Sequence, residues 1–334
     1  MTAPSSPVAA RWKRFLLVTF PVALIVVAVV LEVLAAALSG VTPRRHTVDD
    51  LVAAVATDPA DPPVVLLGDS VVHNITRIWK VGEPGTVADI SSHGDAGLVA
   101  ELLLLRRFIA AGHHPRRVLL IASPDVYAIE ILPAGFSLYV DSTFTHADEK
   151  ALLRQLYPQF VSNGWRPAAL QVDHKIAAPL FSLLRNTPAA LPVGDQVPNP
   201  RAAPESLPAN EFDPAMAAER TGSSLSLLAA PRQIMHDLCA LSLSDGFTLD
   251  VAMPPTAPEI LAVWRKTGAL ARFTAEMTGI LSHDCHAGPL LQLGASHSYA
   301  NFDRSSRHIR GSADEQAFAS EIATLIAERA APER

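Results

Sequence analysis

The sequence predicts an α/β fold, a three-layer α/β/α sandwich around a mostly parallel sheet, preceded by one N-terminal transmembrane helix. Three observations predict it. Short, wholly apolar runs such as Val64-Val65-Leu66-Leu67 and Val118-Leu119-Leu120-Ile121 have the length and density of strands buried on both faces. They alternate with longer segments whose apolar residues recur at helical spacing, the pattern of parallel βαβ units. Residues 15–38 form an apolar run of 24, interrupted only by Thr19, Pro21 and Glu32, which is long enough to cross a bilayer as a helix.

That run sets the domain plan: a tail over 1–14, the span over 15–38, a tether over 39–63 and a single large domain over 64–334. Its length favours an uncleaved anchor, although Ala35-Ala36-Ala37 leaves signal-peptide cleavage open. Arg11, Lys13 and Arg14 precede it and Arg44 and Arg45 follow it, a small bias that places the N-terminus inside and the main domain outside the cytoplasmic membrane, in the periplasm or its equivalent. Glu32 has two readings, a carboxylate reaching headgroups at the outer end or a polar contact to another membrane protein. The tether is rich in Gly, Thr, Pro, Asp and Arg around one short helical stretch over 48–56.

Within the main domain the first strand, Val64–Gly68, turns into a helix from Val71. A second strand is predicted over 86–90, a helix over 98–111 stopped by Gly112, and a third strand over 117–122. Residues 187–214 hold seven prolines and form a surface excursion, not a packed element. Order returns with a helix over 225–243, a strand over 247–253, the breaker Pro254-Pro255 and a helix over 258–281. A short apolar piece over 290–293, a loop over 296–311 and an amphipathic helix over 313–329 complete the chain.

Chemistry points to two places. Gly68-Asp69-Ser70 ends a buried strand where a helix begins, so the Ser70 side chain projects beyond the carboxyl end of the sheet and its N–H lies at the positive helix start. Tyr299 to Gly311 is the second, a loop just before the last helix containing Asp303 and His308. Together these blocks resemble the SGNH (GDSL-like) hydrolase and acyltransferase family. The resemblance implies Ser70 as nucleophile, His308 as its base and Asp303 as the acid orienting it. The family's acid stands three residues before the histidine; here that place is Ser305, and Asp303 is five back. A Ser–His dyad oriented by another acceptor is therefore the alternative, and His297 is a rival base.

The resemblance also implies an oxyanion hole built from the N–H groups of Ser70 and Gly94. The family's third donor is an asparagine in a Gly-x-Asn-Asp block after the third strand, where this chain has Ala122-Ser123-Pro124-Asp125. Ser123 takes that donor's place, and an ionised Asp125 would repel an oxyanion. This departure, with the single span and tether, resembles the membrane-anchored branch of the family, such as periplasmic alginate O-acetyltransferase subunits and the teichoic-acid D-alanylation protein. It implies transfer or hydrolysis of O-acyl groups on an exported polysaccharide or cell-envelope glycan, with no cofactor and with a multi-pass membrane acyltransferase as acyl donor. Plain carboxylesterase activity, and an inactive polymer-binding or assembly factor, are the other readings.

Other features are weaker. With 27 basic and 33 acidic residues the net charge is −6, and no basic block supports a nucleic-acid partner. His283-Asp284-Cys285-His286 holds metal-ligand residue types, but adjacent side chains diverge and no second pair stands at metal spacing, so no metal site is assigned. His113-His114, between Gly112 and Pro115, reads as a solvated turn. Cys239 and Cys285 could pair in an oxidising compartment, or Cys239 could be a small buried apolar residue.

Overall fold

The computed structural model describes residues 12, 15–27, 29, 47–57, 61–82, 85–92, 96–129, 131, 136–141, 143–160, 225–285, 287–294, 297–302 and 308–331. The chain divides into two units, 1–45 with 164–193, and 46–163 with 194–334. In the first, Phe15–Thr19 and residues 20–27 are helical and their apolar side chains are exposed, Leu17 and Ile25 among them. No helix among the described residues is long and apolar enough to cross a membrane. The predicted span beyond Val29, including Glu32, lies outside the described residues, as does the proline-rich segment 187–214.

The second unit contains a five-stranded sheet, every pairing parallel: β1 Val64–Gly68, β2 Val87–Asp89, β3 Arg117–Ile121, β4 Thr248–Met253 and β5 Leu291–Gln292, in the order β2-β1-β3-β4-β5. Its helices are α1 Thr47–Thr57, α2 Ser70–Trp79, α3 Gly97–Ala110, α4 Ala147–Leu156, α5 Ala229–Asp245, α6 Pro258–Lys266, α7 Ala269–Asp284 and α8 Ser312–Ala330. Side chains alternate across each strand, so the sheet feeds two cores. Val65, Leu67, Val118, Leu120, Leu249 and Val251 meet α3, α5 and α7 on one face; Val64, Leu66, Leu119 and Ile121 meet α2 and α8 on the other. Both faces being covered explains why the central strands read as unbroken apolar runs and not as alternating ones.

Each layer has a local cause. In α2, Val71, Val72 and Ile75 are buried while Asn74, Arg77 and Ile78 face outward. Asp250, almost fully buried on β4, is flanked by Arg117 Nη1 at 3.2 Å and Arg329 Nε at 3.3 Å, which ties the end of α8 to the strands. Cys239 and Cys285 form a disulfide, Cα atoms 4.3 Å apart, linking α5 to the residue after α7. Of the two readings left open for this pair, the bonded one is found.

Four expectations change. The helical stretch in the tether belongs to the folded domain, with Val48 and Val55 of α1 buried in the core that holds α3. The single helix over 258–281 is two, because Gly268 takes φ 68°, a left-handed conformation that ends one helix and opens the next. The helix predicted over 225–243 starts later: residues 225–228 are irregular, Leu225 taking φ 46°, and α5 begins at Ala229. His113 is buried and stacks on Phe108, ring centroids 4.3 Å apart, so only His114 sits at an exposed turn.

Candidate active site

The strand order decides where a site can lie. The chain leaves β1 for β2 on one side and leaves β3 for β4 on the other, so the connections from the carboxyl ends of β1 and β3 run in opposite directions and open a crevice there. Register places Gly68 level with Ile121, so the Asp69-Ser70 turn faces Ala122-Ser123 across that crevice.

The turn is sharp because Gly68 permits it. A Cβ on Gly68 would lie 2.7 Å from the Ile121 carbonyl oxygen and 2.9 Å from Val72 Cβ, so α2 approaches the sheet more closely than any side chain at 68 would allow. Asp69 caps α2, its Oδ1 accepting from Val71 N–H at 2.9 Å. Its Oδ2 accepts from Ser123 N–H at 3.0 Å, spanning the crevice. Burial raises the Asp69 pKa, and the neighbouring Asp125 charge adds to it, against the two amide hydrogen bonds and the His308 ring. Ser70 begins the helix, where first-turn N–H groups have no partner within the helix itself.

His308 arrives from the far end of the chain. Asp314, in the first turn of α8, accepts at Oδ2 from Ala300 N–H (3.2 Å), Asn301 N–H (3.0 Å) and Asn301 Nδ2 (3.0 Å). Asn301 O in turn accepts from Arg310 N–H at 2.9 Å, and Phe302 bridges Ile309, whose side chain is buried in the α2–α8 core. This closed loop holds His308 Nε2 2.9 Å from Ser70 Oγ, a contact between residues 238 positions apart.

The rival base is elsewhere. His297 donates Nε2–H to Asp314 Oδ1 at 2.8 Å and serves the clasp that holds the loop. Burial would raise the Asp314 pKa, but the His297 bond and the Asn301 and Ala300 donors outweigh it and hold the carboxyl below its usual range.

The remaining expected residues are placed unequally. Asp303 and Gly94 lie outside the described residues. Ser123 borders the crevice with its N–H committed to Asp69, which leaves its hydroxyl as the one donor it can offer an oxyanion. Asp125 is fully buried. Of the residues considered for a metal, Cys285 is bonded to Cys239, and Asp284 Oδ2 lies 3.2 Å from His236 Nδ1.

Three side chains around the turn were not anticipated. Glu101 of α3, 2% exposed, accepts from Gly68 N–H at 3.2 Å and from Ser92 N–H (3.1 Å) and Oγ–H (2.5 Å). Burial pushes its pKa up to about 8, against those hydrogen bonds. His73 sits one turn along α2 from Ser70, its Nδ1 2.8 Å from Ser91 O and its Nε2 3.2 Å from Arg77 Nη1, a geometry that suits the neutral Nδ1–H tautomer. Tyr127 is buried, and its hydroxyl has no partner among the described residues. Burial, then the Asp69 and Glu101 charges, raise its pKa. A lone Glu inside the apolar run of α3 was the available signal for Glu101, since a charge there requires donors.

Compared with known proteins, no family model matches the chain and no curated protein matches it.

Proposed function

We propose that the chain is a serine acyl-transfer enzyme of the SGNH type, working through an acyl-Ser70 intermediate on O-acyl groups of an exported or cell-envelope polysaccharide. One observation carries the reading: a serine hydroxyl at a strand-to-helix turn, 2.9 Å from an imidazole nitrogen, in the crevice where the strand order reverses.

His308 Nε2 takes the Ser70 Oγ proton as Oγ attacks the carbonyl carbon of an ester or thioester. The carbonyl π electrons move to oxygen, and Ser70 N–H, Gly94 N–H and the Ser123 hydroxyl receive that oxyanion, each donor lowering the barrier by roughly 3 kcal/mol. Collapse breaks the bond to the leaving alcohol or thiol, which departs with the proton from His308. A sugar hydroxyl or water, deprotonated by the same nitrogen, then attacks the acyl carbon and frees Ser70. Asp303, or another acceptor in a Ser–His dyad, supports the imidazolium formed in each half.

A membrane-anchored, extracytoplasmic placement fits this reading. Its support is the 24-residue apolar run, the exposed apolar side chains over 15–27, and the pairing of both cysteines, which suits an oxidising compartment. A multi-pass membrane acyltransferase is then the proposed acyl donor. The non-catalytic polymer-binding reading has two observations in its favour, a serine at the place of the asparagine donor and the lengthened interval from Asp303 to His308.

A fluorophosphonate probe tests the proposal, because it phosphonylates only an activated serine. Wild type labels at Ser70; Ser70→Ala and His308→Ala do not. Absence of wild-type labelling under conditions that label an SGNH esterase would establish the binding reading instead.

A further inference from the structure

We propose that Glu101 is a positioning residue for this active site: a buried carboxyl that clamps the end of β1 to Ser92, just beyond β2, and thereby sets the Ser70 turn. The inference rests on the acyl-transfer reading above.

The turn has few anchors of its own. Val71 N–H and Ser123 N–H hold Asp69, but the residue entering the corner, Gly68, has no side chain with which to fix itself. Glu101 supplies what is missing. One carboxyl oxygen takes the Gly68 N–H, two residues before the nucleophile, and the other takes Ser92 N–H and Oγ–H in the segment after β2. Ser92 N–H is shared with Gly68 O at 2.9 Å, so strand pairing and carboxyl act on the same two residues. His73 holds the adjoining Ser91 O from the other side. The chain runs on from Ser92 toward the sequence position of Gly94, so the same clamp lies at the root of the segment expected to complete the oxyanion hole.

The carboxyl serves in either protonation state. When ionised it accepts all three donors; when protonated its O–H turns toward Ser92 Oγ and both backbone N–H groups keep an acceptor. A carboxamide cannot do this. In Glu101→Gln one end of the side chain is an NH₂, and it faces either Gly68 N–H or Ser92 N–H, donor against donor. Shape and volume are kept, so the variant perturbs the turn with little change in packing.

The experiment measures the rate and the end-point stoichiometry of fluorophosphonate labelling on the full chain, with Glu149→Gln as control. Glu149 is another buried acid, paired with Arg107 at 2.6 Å, outside this site. We expect Glu101→Gln to label to the same end-point as wild type but about 10- to 100-fold more slowly, the scale of a misplaced reacting group. Turnover of p-nitrophenyl acetate should fall in kcat with KM nearly unchanged. A merely structural role lowers the end-point or the melting temperature and leaves the rate per labelled molecule alone, as Glu149→Gln should. Wild-type labelling rate in Glu101→Gln overturns the inference while leaving the acyl-transfer reading intact. Failure of the wild type to label overturns that reading, and this inference with it. Should Glu101→Gln not fold, Ser92→Ala removes one of the clamped donors; slower labelling by about 3-fold or more supports the clamp, and an unchanged rate overturns it.

Discussion

Ser70 Oγ and His308 Nε2 lie 2.9 Å apart although 238 positions separate them, and two independent local structures create the contact. The strand-to-helix turn presents the hydroxyl; the loop clasped by Asp314 presents the ring. Removing either partner should therefore remove activation of the other. Ser70→Ala should abolish ester turnover, and His308→Ala should lower it by about 10³- to 10⁴-fold with the melting temperature nearly unchanged. His297→Ala should behave differently, losing about 1 kcal/mol of stability through the Asp314 clasp while keeping Ser70 labelling per folded molecule. Loss of labelling in His297→Ala with retention in His308→Ala would exchange their roles.

Gly68 admits no side chain. Ala at this position would press its Cβ against the Ile121 carbonyl and Val72, and since both belong to regular elements, α2 must move off the sheet. We predict a loss of roughly 1–3 kcal/mol in urea unfolding and loss of labelling even in the folded fraction, because the displaced helix carries Ser70 with it. Normal labelling in a folded Gly68→Ala would show that the close approach is incidental.

The Ser70 turn was legible in the sequence because it rests on a local rule. An apolar run ending at Gly-Asp-Ser announces a buried strand entering a helix; the histidine-bearing loop before the final helix stood out only through the family resemblance. What was not legible depends on tertiary contact. Glu101 looks like one charge in an apolar helix until Gly68 and Ser92 are seen donating to it. His297 stood in the sequence as a rival to His308, and only the fold separates them: Asp314 engages His297, while His308 Nε2 meets Ser70 Oγ. The division of the 258–281 segment was present in Gly268, but one glycine in a periodic stretch is a weak stop beside the helical spacing around it. Helix α4 and the turn Phe136–Asp141 were not foreseen.

Glu101 gives the protein a pH dependence opposite to that of a salt-bridged acid. Its pKa rises from 4.5 to about 8 on folding, so between those values the folded chain keeps a proton that the unfolded chain has released. Stability then falls as pH rises through that window, by at most about 1.4 kcal/mol per unit. Asp69 and Tyr127 are the charged or ionisable groups facing it from the turn and from the helical turn Pro124–Tyr127 after β3, and neither is a cation that would reverse the sign. Thermal melts at pH 5, 6.5 and 8 should show wild type losing stability relative to Glu101→Gln as pH increases. Parallel curves for the two proteins would refute the assignment.

The Cys239–Cys285 bond joins positions 46 residues apart, and closing a loop of that length restricts the unfolded chain. Chain-entropy reasoning puts the stabilisation at about 2–4 kcal/mol. Because α5 and α7 pack in the core with α3, loosening their join should lower the melting temperature without abolishing folding. The predicted outcome is a drop of several degrees for Cys239→Ser/Cys285→Ser, matched by wild type in a reducing agent, with the reducing agent having no further effect on the double variant. Protein taken from cells should resist thiol alkylation until reduced if the main domain is exported. Ready alkylation without reduction would place the domain in a reducing compartment and remove one support for the anchored, extracytoplasmic reading.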